Sequence, residues 1–300
     1  ETVPLLTLYD PQLVRQLLMY RYRRLPAAKK NAHEAGFAGA MFPWQSGATG
    51  DEQSQVVHLN PLTNTWDPDY SSLQRHVSLA VAYNVIMYDR ISGDHTFLVQ
   101  YGLEMLQEIA QFWLSKAHRN APDQRYTIDQ VMGPDEFHEN YPNAHSRGLA
   151  NNAYTNLMVA WLFRELKVLR QQCQPDQLAA IDQKTGVTPQ ILDQFADVAQ
   201  HLKLDINEDG IIGQFAGYFK LPQLDFQKYR QKYGDISRMD RILKAEGKTP
   251  DAYQVAKQAD ALMIFYNLDV PQVMTLLQQL GYQLPTDALT KNLQFYLDRT

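Results

Sequence analysis

The run Met132-Gly133-Pro134-Asp135-Glu136-Phe137-His138-Glu139-Asn140-Tyr141 sets three carboxylates and an imidazole within five consecutive residues, directly after a Gly-Pro pair that fixes the backbone. Cleaving a glycosidic bond requires a carboxylic acid held near the leaving oxygen, its proton retained through partial burial or a neighbouring carboxylate. This cluster can supply one, and a solvated acidic turn is the alternative. A second candidate is Phe42-Pro43-Trp44-Gln45-Ser46-Gly47, followed by Asp51-Glu52. Sugars offer apolar faces to an indole and hydroxyls to amides and carboxylates, so Trp44 and Gln45 on a Gly-rich loop suit carbohydrate binding, whereas a Trp packed under a loop explains them equally well. The third is Lys257-Gln258-Ala259-Asp260, flanked by Val255, Leu262 and Phe265. Inside an apolar helix, Lys257 and Gln258 could bond sugar hydroxyls; on an exposed helix face they would do nothing.

Other chemistries find no support. Asp205-Ile206-Asn207-Glu208-Asp209-Gly210 opens like a calcium loop, but Ala216 stands where the bidentate glutamate belongs. His58, His76, His138 and His145 lack paired metal spacing, and there is no phosphate-cradling Gly-rich loop or serine nucleophile elbow. No metal and no cofactor is expected. Cys173 is the only cysteine, which excludes an intrachain disulfide and a cysteine-built zinc site. With 28 Lys+Arg against 33 Asp+Glu and a pI near 5.9, the chain has no basic block for nucleic acid or an anionic membrane. No apolar run approaches the ~18 residues of a membrane span. No nucleic-acid and no membrane partner is expected, and the expected compartment is cytoplasmic.

The elements that must position these residues read as helices joined by loops. Three hundred residues, 45% of them hydrophobic, suffice for a large core. Leu13, Leu17 and Tyr20 predict a first helix that Pro26 ends or bends, before a Gly-marked loop from Gly36 to Gly50. Leu73, Val77, Val81, Val85 and Tyr88 predict a helix over 71–91 with Gly93 as its C-terminal cap, and Asp94 caps the next, through Phe97, Met105, Ile109 and Trp113. Tyr126, Ile128 and Val131 alternate as a short strand, after which Glu136 is presented on a loop. Asn151 or Asn152 caps a long helix through Leu166. Further helices are predicted over 189–202, 251–267, 270–280 and 286–297, with a small hairpin between Ile206 and Leu221. No linker or fixed-period repeat divides the chain, so one domain over 1–300 is the simplest reading, and periodicity leaves a bundle and a ring of αα-hairpins both open.

Four blocks resemble glycoside hydrolase family 65: Gly39-Ala40-Met41-Phe42-Pro43-Trp44-Gln45-Ser46, Met132 to His138, Asn151-Asn152-Ala153-Tyr154-Thr155-Asn156, and Lys257-Gln258-Ala259-Asp260. That family contains maltose, trehalose and kojibiose phosphorylases and related hydrolases. The resemblance implies an all-α fold, part of an (α/α)6 barrel with minor β-hairpins in its loops. It implies Glu136 as general acid, Lys257 and Gln258 as contacts to the non-reducing glucose, and Trp44 and Gln45 in the loop that shapes the sugar pocket. The family's upstream Trp-Asp block and β-sandwich are not in this sequence. Residues 296–300 resemble the lead-in to the segment that binds phosphate or holds the hydrolytic base, so the chain reads as a barrel incomplete at both ends. His58-Leu59-Asn60-Pro61 through Trp66 differs from the maltose phosphorylase pattern.

The implied chemistry is inversion at an α-glucosidic carbon of a glucose disaccharide. Glu136 protonates the leaving oxygen while inorganic phosphate attacks from the opposite face, giving β-glucose 1-phosphate. The expected partners are a disaccharide and phosphate as co-substrate, with a homodimer compatible with the family. An inverting α-glucosidase of trehalase or kojibiose-hydrolase type is the enzymatic alternative, since it needs only water and a second carboxylate. A non-catalytic αα scaffold is the alternative from another class.

Overall fold

The computed structural model describes all residues except 1, 62, 121, 143, 145, 146 and 300, so His145 lies outside the described residues. The chain forms two compact units, each drawn from three stretches of sequence: 1–53, 75–126 and 158–201 in the first, and 54–74, 127–157 and 202–300 in the second.

The first unit is helical. It contains α1 (Val3–Tyr9), α2 (Pro11–Arg23), α3 (Leu25–Glu34), α4 (Val77–Ser92), α5 (His95–Phe97), α6 (Leu103–Lys116), α7 (Ala153–Gln171) from Met158 onward, α8 (Pro175–Thr185) and α9 (Pro189–His201). Pro26 does not simply end a helix. It occupies the first turn of α3, where a missing N–H costs nothing. Gly93 ends α4 in the left-handed conformation, and the Asp94 carboxylate accepts the Phe97 N–H at 3.0 Å to start the next helix, which passes through a π-turn at Leu98–Gly102 into α6. α4 begins at Val77 rather than at residue 71, because Ser71–Leu73 make a separate 3-10 turn. α8 escapes the sequence reading, although Pro175 and a reciprocal Gln174–Gln177 capping box mark its start. Buried Leu79, Val85, Ile86, Leu103, Leu106, Ile109 and Trp113 supply the core of this unit.

The loop with Trp44 is tied to α6 by backbone. Gly39 has φ +71°, and a Cβ there would lie 2.2 Å from the Glu108 carbonyl oxygen and 2.3 Å from the Phe112 nitrogen. Only glycine permits this approach, which lets the Ala40 N–H donate to the Glu108 carbonyl at 2.8 Å. Three residues from Gly39, the Phe42 N–H donates to Ser78 Oγ on α4 at 2.9 Å.

The second unit contains a two-stranded hairpin, β1 (Val57–Asn60) and β2 (Thr65–Pro68), with Leu59 opposite Trp66. It also holds the first turn of α7, then α10 (Phe226–Tyr233), α11 (Met239–Ala245), α12 (Asp260–Asn267), α13 (Val270–Gln279) and α14 (Ala288–Leu297). Phe137, Tyr229, Met239, Leu243 and Val255 form one of its buried clusters. The strand expected from Tyr126 to Val131 shrinks to Tyr126–Thr127, and Val131 makes an isolated bridge with Leu149. The hairpin expected between Ile206 and Leu221 reduces to an isolated Ile206–Ile212 bridge, closed by Asn207 Oδ1 accepting the Asp209 and Ile211 N–H groups, and Tyr218–Lys220 form a 3-10 turn instead of a strand.

The largest correction concerns residues 251–267. Only Asp260–Asn267 is α-helical, after a 3-10 turn at Pro250–Ala252, so Lys257 and Gln258 lie on the segment ahead of α12 rather than inside a helix. The backbone of this segment bonds distant partners in place of i−4 carbonyls. Gln254 N–H donates to the Pro222 carbonyl, Ala256 N–H to the Arg299 carbonyl, and Lys257 N–H to Asp135 Oδ1. Apolar spacing at Val255, Leu262 and Phe265 mimics a helical stripe, but such long-range acceptors win. Among the described residues, no helix is long and apolar enough to cross a membrane.

Candidate active site

The acid block is built around two buried carboxylates of the second unit. Asp135 and Asp260 are each 2% exposed. Asp260 Oδ1 accepts the Asp135 N–H at 2.6 Å, and Oδ2 accepts from Asn152 Nδ2 at 2.7 Å. Asp135 Oδ1 accepts the Phe137 and Lys257 N–H groups at 3.2 and 3.0 Å, while Oδ2 takes Gln214 Nε2 at 3.1 Å and faces His138 Nδ1 at 3.2 Å. Gly133 belongs to this packing, because a Cβ on it would fall 1.9 Å from Asp260 Oδ2 and 2.3 Å from Asn152 Nδ2. Asn152 also caps α7, its Oδ1 accepting from Thr155 N and Oγ1 at 3.0 and 2.9 Å.

Burial, then the charge of Asp135, pushes the Asp260 carboxyl well above the usual carboxylate range. Burial opposes protonation of the His138 ring, but the hydrogen bond and charge of Asp135, with the Tyr253 carbonyl and Asp251, outweigh it and raise the ring above its ordinary value. His138 Nδ1 faces Asp135 Oδ2 and its Nε2 faces the Tyr253 carbonyl at 2.9 Å, so the ring ties Asp135 to the segment ahead of α12.

This scaffold brings two of the expected site residues together across 121 positions of sequence. Lys257 Nζ lies 2.6 Å from Glu136 Oε2, with the side chains 36% and 48% exposed. Both are held from behind by one group, since Asp135 Oδ1 bonds the N–H of Phe137, next to Glu136, and that of Lys257 itself. Gln258 follows, exposed. An exposed carboxylate and ammonium in contact, on a backbone fixed by buried acceptors, can exchange each other for sugar hydroxyls and a leaving-group oxygen.

Trp44 and Gln45 lie in the first unit. Both of their N–H groups donate to the Glu52 carboxylate, at 2.8 and 3.2 Å, and the Trp44 ring sits 5.8 Å from that of His76. Trp44 is half-buried and Gln45 exposed. The indole is thus neither sunk in the core nor free of it.

Sequence reasoning missed the residues that do the holding. Asn152 lay in a block singled out for other reasons; Gln214 carried no signal, because its partners are 79 and 46 residues away. Glu139 was counted among the carboxylates without a role. Burial, then the charge of Asp251, pushes its carboxyl up to about 7, against the pull of Lys244. The folded protein keeps this proton while the unfolded chain loses it near the ordinary glutamate value of 4.5, so stability falls as pH rises from there to about 7. The contribution is on the order of 3 kcal/mol at most. Glu139→Gln should therefore unfold at higher urea than the parent at pH 8, with the gap closing towards pH 4.5. A constant offset across that range would refute the assignment.

Comparison with known proteins adds the family. A solved structure described as a candidate kojibiose phosphorylase from the human microbiome superposes with a TM-score of 0.75, over 99% of this chain and 35% of that one, at 24% identity, and so shares the fold. The mostly helical, hairpin-decorated class expected for part of an (α/α)6 barrel stands on that likeness. Trehalose 6-phosphate phosphorylase of Lactococcus lactis is 48% identical over 97% of this chain and 36% of its own length. Kojibiose phosphorylases of Escherichia coli and Halothermothrix orenii are 30% and 32% identical, over 97% and 86% of this chain. The chain spans about a third of the length of these relatives (36%, 34% and 32%). Residues 2–300 match the glycosyl hydrolase family 65 central catalytic domain. The chain belongs to that family.

Proposed function

We propose that this chain carries the acid and the glucose contacts of an inverting α-glucoside phosphorylase. Glu136 protonates the leaving oxygen, Lys257 and Gln258 hold the non-reducing glucose, and Trp44 and Gln45 help shape the sugar pocket. Inorganic phosphate attacks the anomeric carbon from the opposite face, the C–O bond to the leaving sugar breaks, and β-glucose 1-phosphate results. Phosphate brings its own negative charge, so the attack needs no protein base. The observation that carries this reading is the 2.6 Å approach of Lys257 to Glu136 on a shared Asp135 anchor.

When substrate binds, Lys257 Nζ exchanges its 2.6 Å contact with Glu136 for the glucose hydroxyls, which frees Glu136 to face the leaving oxygen. Relatives named as phosphorylases of trehalose 6-phosphate and of kojibiose support phosphorolysis, and the higher identity of the first supports a phosphorylated disaccharide. The test is an assay of the full-length protein on trehalose, trehalose 6-phosphate and kojibiose, with and without phosphate. Phosphate-dependent formation of β-glucose 1-phosphate is expected; glucose release at the same rate without phosphate would replace this reading by hydrolysis.

A further inference from the structure

The first unit holds a cavity of about 410 Å³, lined by none of the residues given a role above. It lies where α5 and the π-turn at Leu98–Gly102 meet the end of α7 and the start of α8, and its size falls among small-molecule pockets, about 300–1,000 Å³. One wall is the π-turn itself, a helical irregularity found most often at functional sites. No proline occurs between Pro68 and Pro122, so ring geometry does not force that turn.

The chemistry of the lining is specific. Leu98 and Val99 give it an aliphatic side, and four amides, Gln100, Gln172, Gln174 and Gln177, surround them. Two parts are fixed in advance. The His95 ring bonds through Nδ1 to the Asp89 carboxylate at 2.7 Å; Asp89 is buried, whereas the His95 side chain is 66% exposed. Gln174 and Gln177 commit their side-chain oxygens to each other's backbone N–H groups in the capping box that starts α8, so both Nε2 groups remain as donors. The Gln100 and Gln172 side chains make no hydrogen bond among the described residues, and each offers a donor and an acceptor. Burial pushes the Cys173 thiol up, so it adds no charge at neutral pH. No lysine, arginine or carboxylate lines the cavity among the described residues.

Amides around an aliphatic wall match a ligand with many hydroxyls and an apolar ring face, and they supply no cation for a phosphate or a carboxylate. We propose that this cavity is an accessory binding site for a neutral saccharide, with glucose as its simplest occupant. Such a ligand bridges the start of α6 to the α7–α8 junction. The site goes beyond the reaction assigned to Glu136 and does not depend on it.

Hydrogen exchange of the full-length protein with glucose alone tests the site without turnover. Exchange over 95–103 and 172–178 should slow about 10-fold at ten times the half-saturating glucose concentration. Inorganic phosphate should leave both segments unchanged. Gln100→Ala combined with Gln172→Ala alters two exposed positions, so turnover and the unfolding midpoint should stay at parent values, while about 10-fold more glucose is needed for the same protection, the size of two neutral hydrogen bonds. Val99→Trp, which fills the cavity, should abolish the protection. Absence of protection in the parent, protection by phosphate equal to that by glucose, or parent-like glucose dependence in the double variant would each overturn the assignment. None of these outcomes bears on phosphorolysis, which is judged by its own assay.

Discussion

Glu136→Gln in the full-length protein should lower kcat on its disaccharide by about 10²- to 10⁴-fold while KM changes little, the size expected when a positioned general acid is removed. The amide keeps the shape of the carboxyl but brings no labile proton to the leaving oxygen. The decisive comparison is α-glucosyl fluoride, whose leaving group departs without protonation. If Glu136 acts as an acid, phosphorolysis of the fluoride should survive in the variant at close to the parent rate. Equal losses on both substrates would make Glu136 a binding or structural residue. Stability offers a second check, because the Glu136–Lys257 pair is 48% and 36% exposed and worth at most about 1 kcal/mol. The variant should unfold within that margin of the parent.

Asp135→Ala should behave in the opposite way. It removes a buried acceptor of the Phe137 and Lys257 N–H groups and of Gln214, and takes away the carboxylate that faces His138 Nδ1. Breaking one partner out of a buried pair costs about 3–5 kcal/mol, so urea unfolding should shift by that amount. Activity should be lost as well, even at temperatures where the variant stays folded. Asp135→Asn supplies a control: it keeps the volume but turns one acceptor edge into a donor facing other donors, and should lose stability by a similar margin. Unchanged unfolding in both variants would show that the network is not holding the site.

How much of this was legible depended on whether the signal was local. Glu136 stood out because its neighbours in sequence are Asp135, His138 and Glu139, and the Gly93 and Asp94 stop and start signals act over one helical turn. Asn152 as the cap of α7 was legible for the same reason. The pairing of Glu136 with Lys257 was not, since it depends on Asp135 bonding a backbone N–H 122 residues away. The helix expected over 251–267 failed for that physical cause: periodicity reports which side chains are apolar and says nothing of where the backbone finds its acceptors. The β1–β2 hairpin was missed because its apolar positions, Val57, Leu59 and Trp66, are solvent-exposed and belong to no core stripe. Glu139 needed a tertiary neighbour, Asp251, before its carboxyl became unusual.

The shared anchor at Asp135 constrains how such a site can diversify. One carboxylate fixes the peptide beside the acid and the peptide of the lysine, so neither can drift without the other, and both are bolted to Asn152, Gln214 and Asp260. Under the proposed roles the pair acts as one unit on the glucose being transferred. The loop tied to α6 through Gly39 and the exposed β1–β2 hairpin are anchored separately from it. For redesign, those segments are the ones to exchange, with residues 132–138 and 254–260 transferred intact as one block.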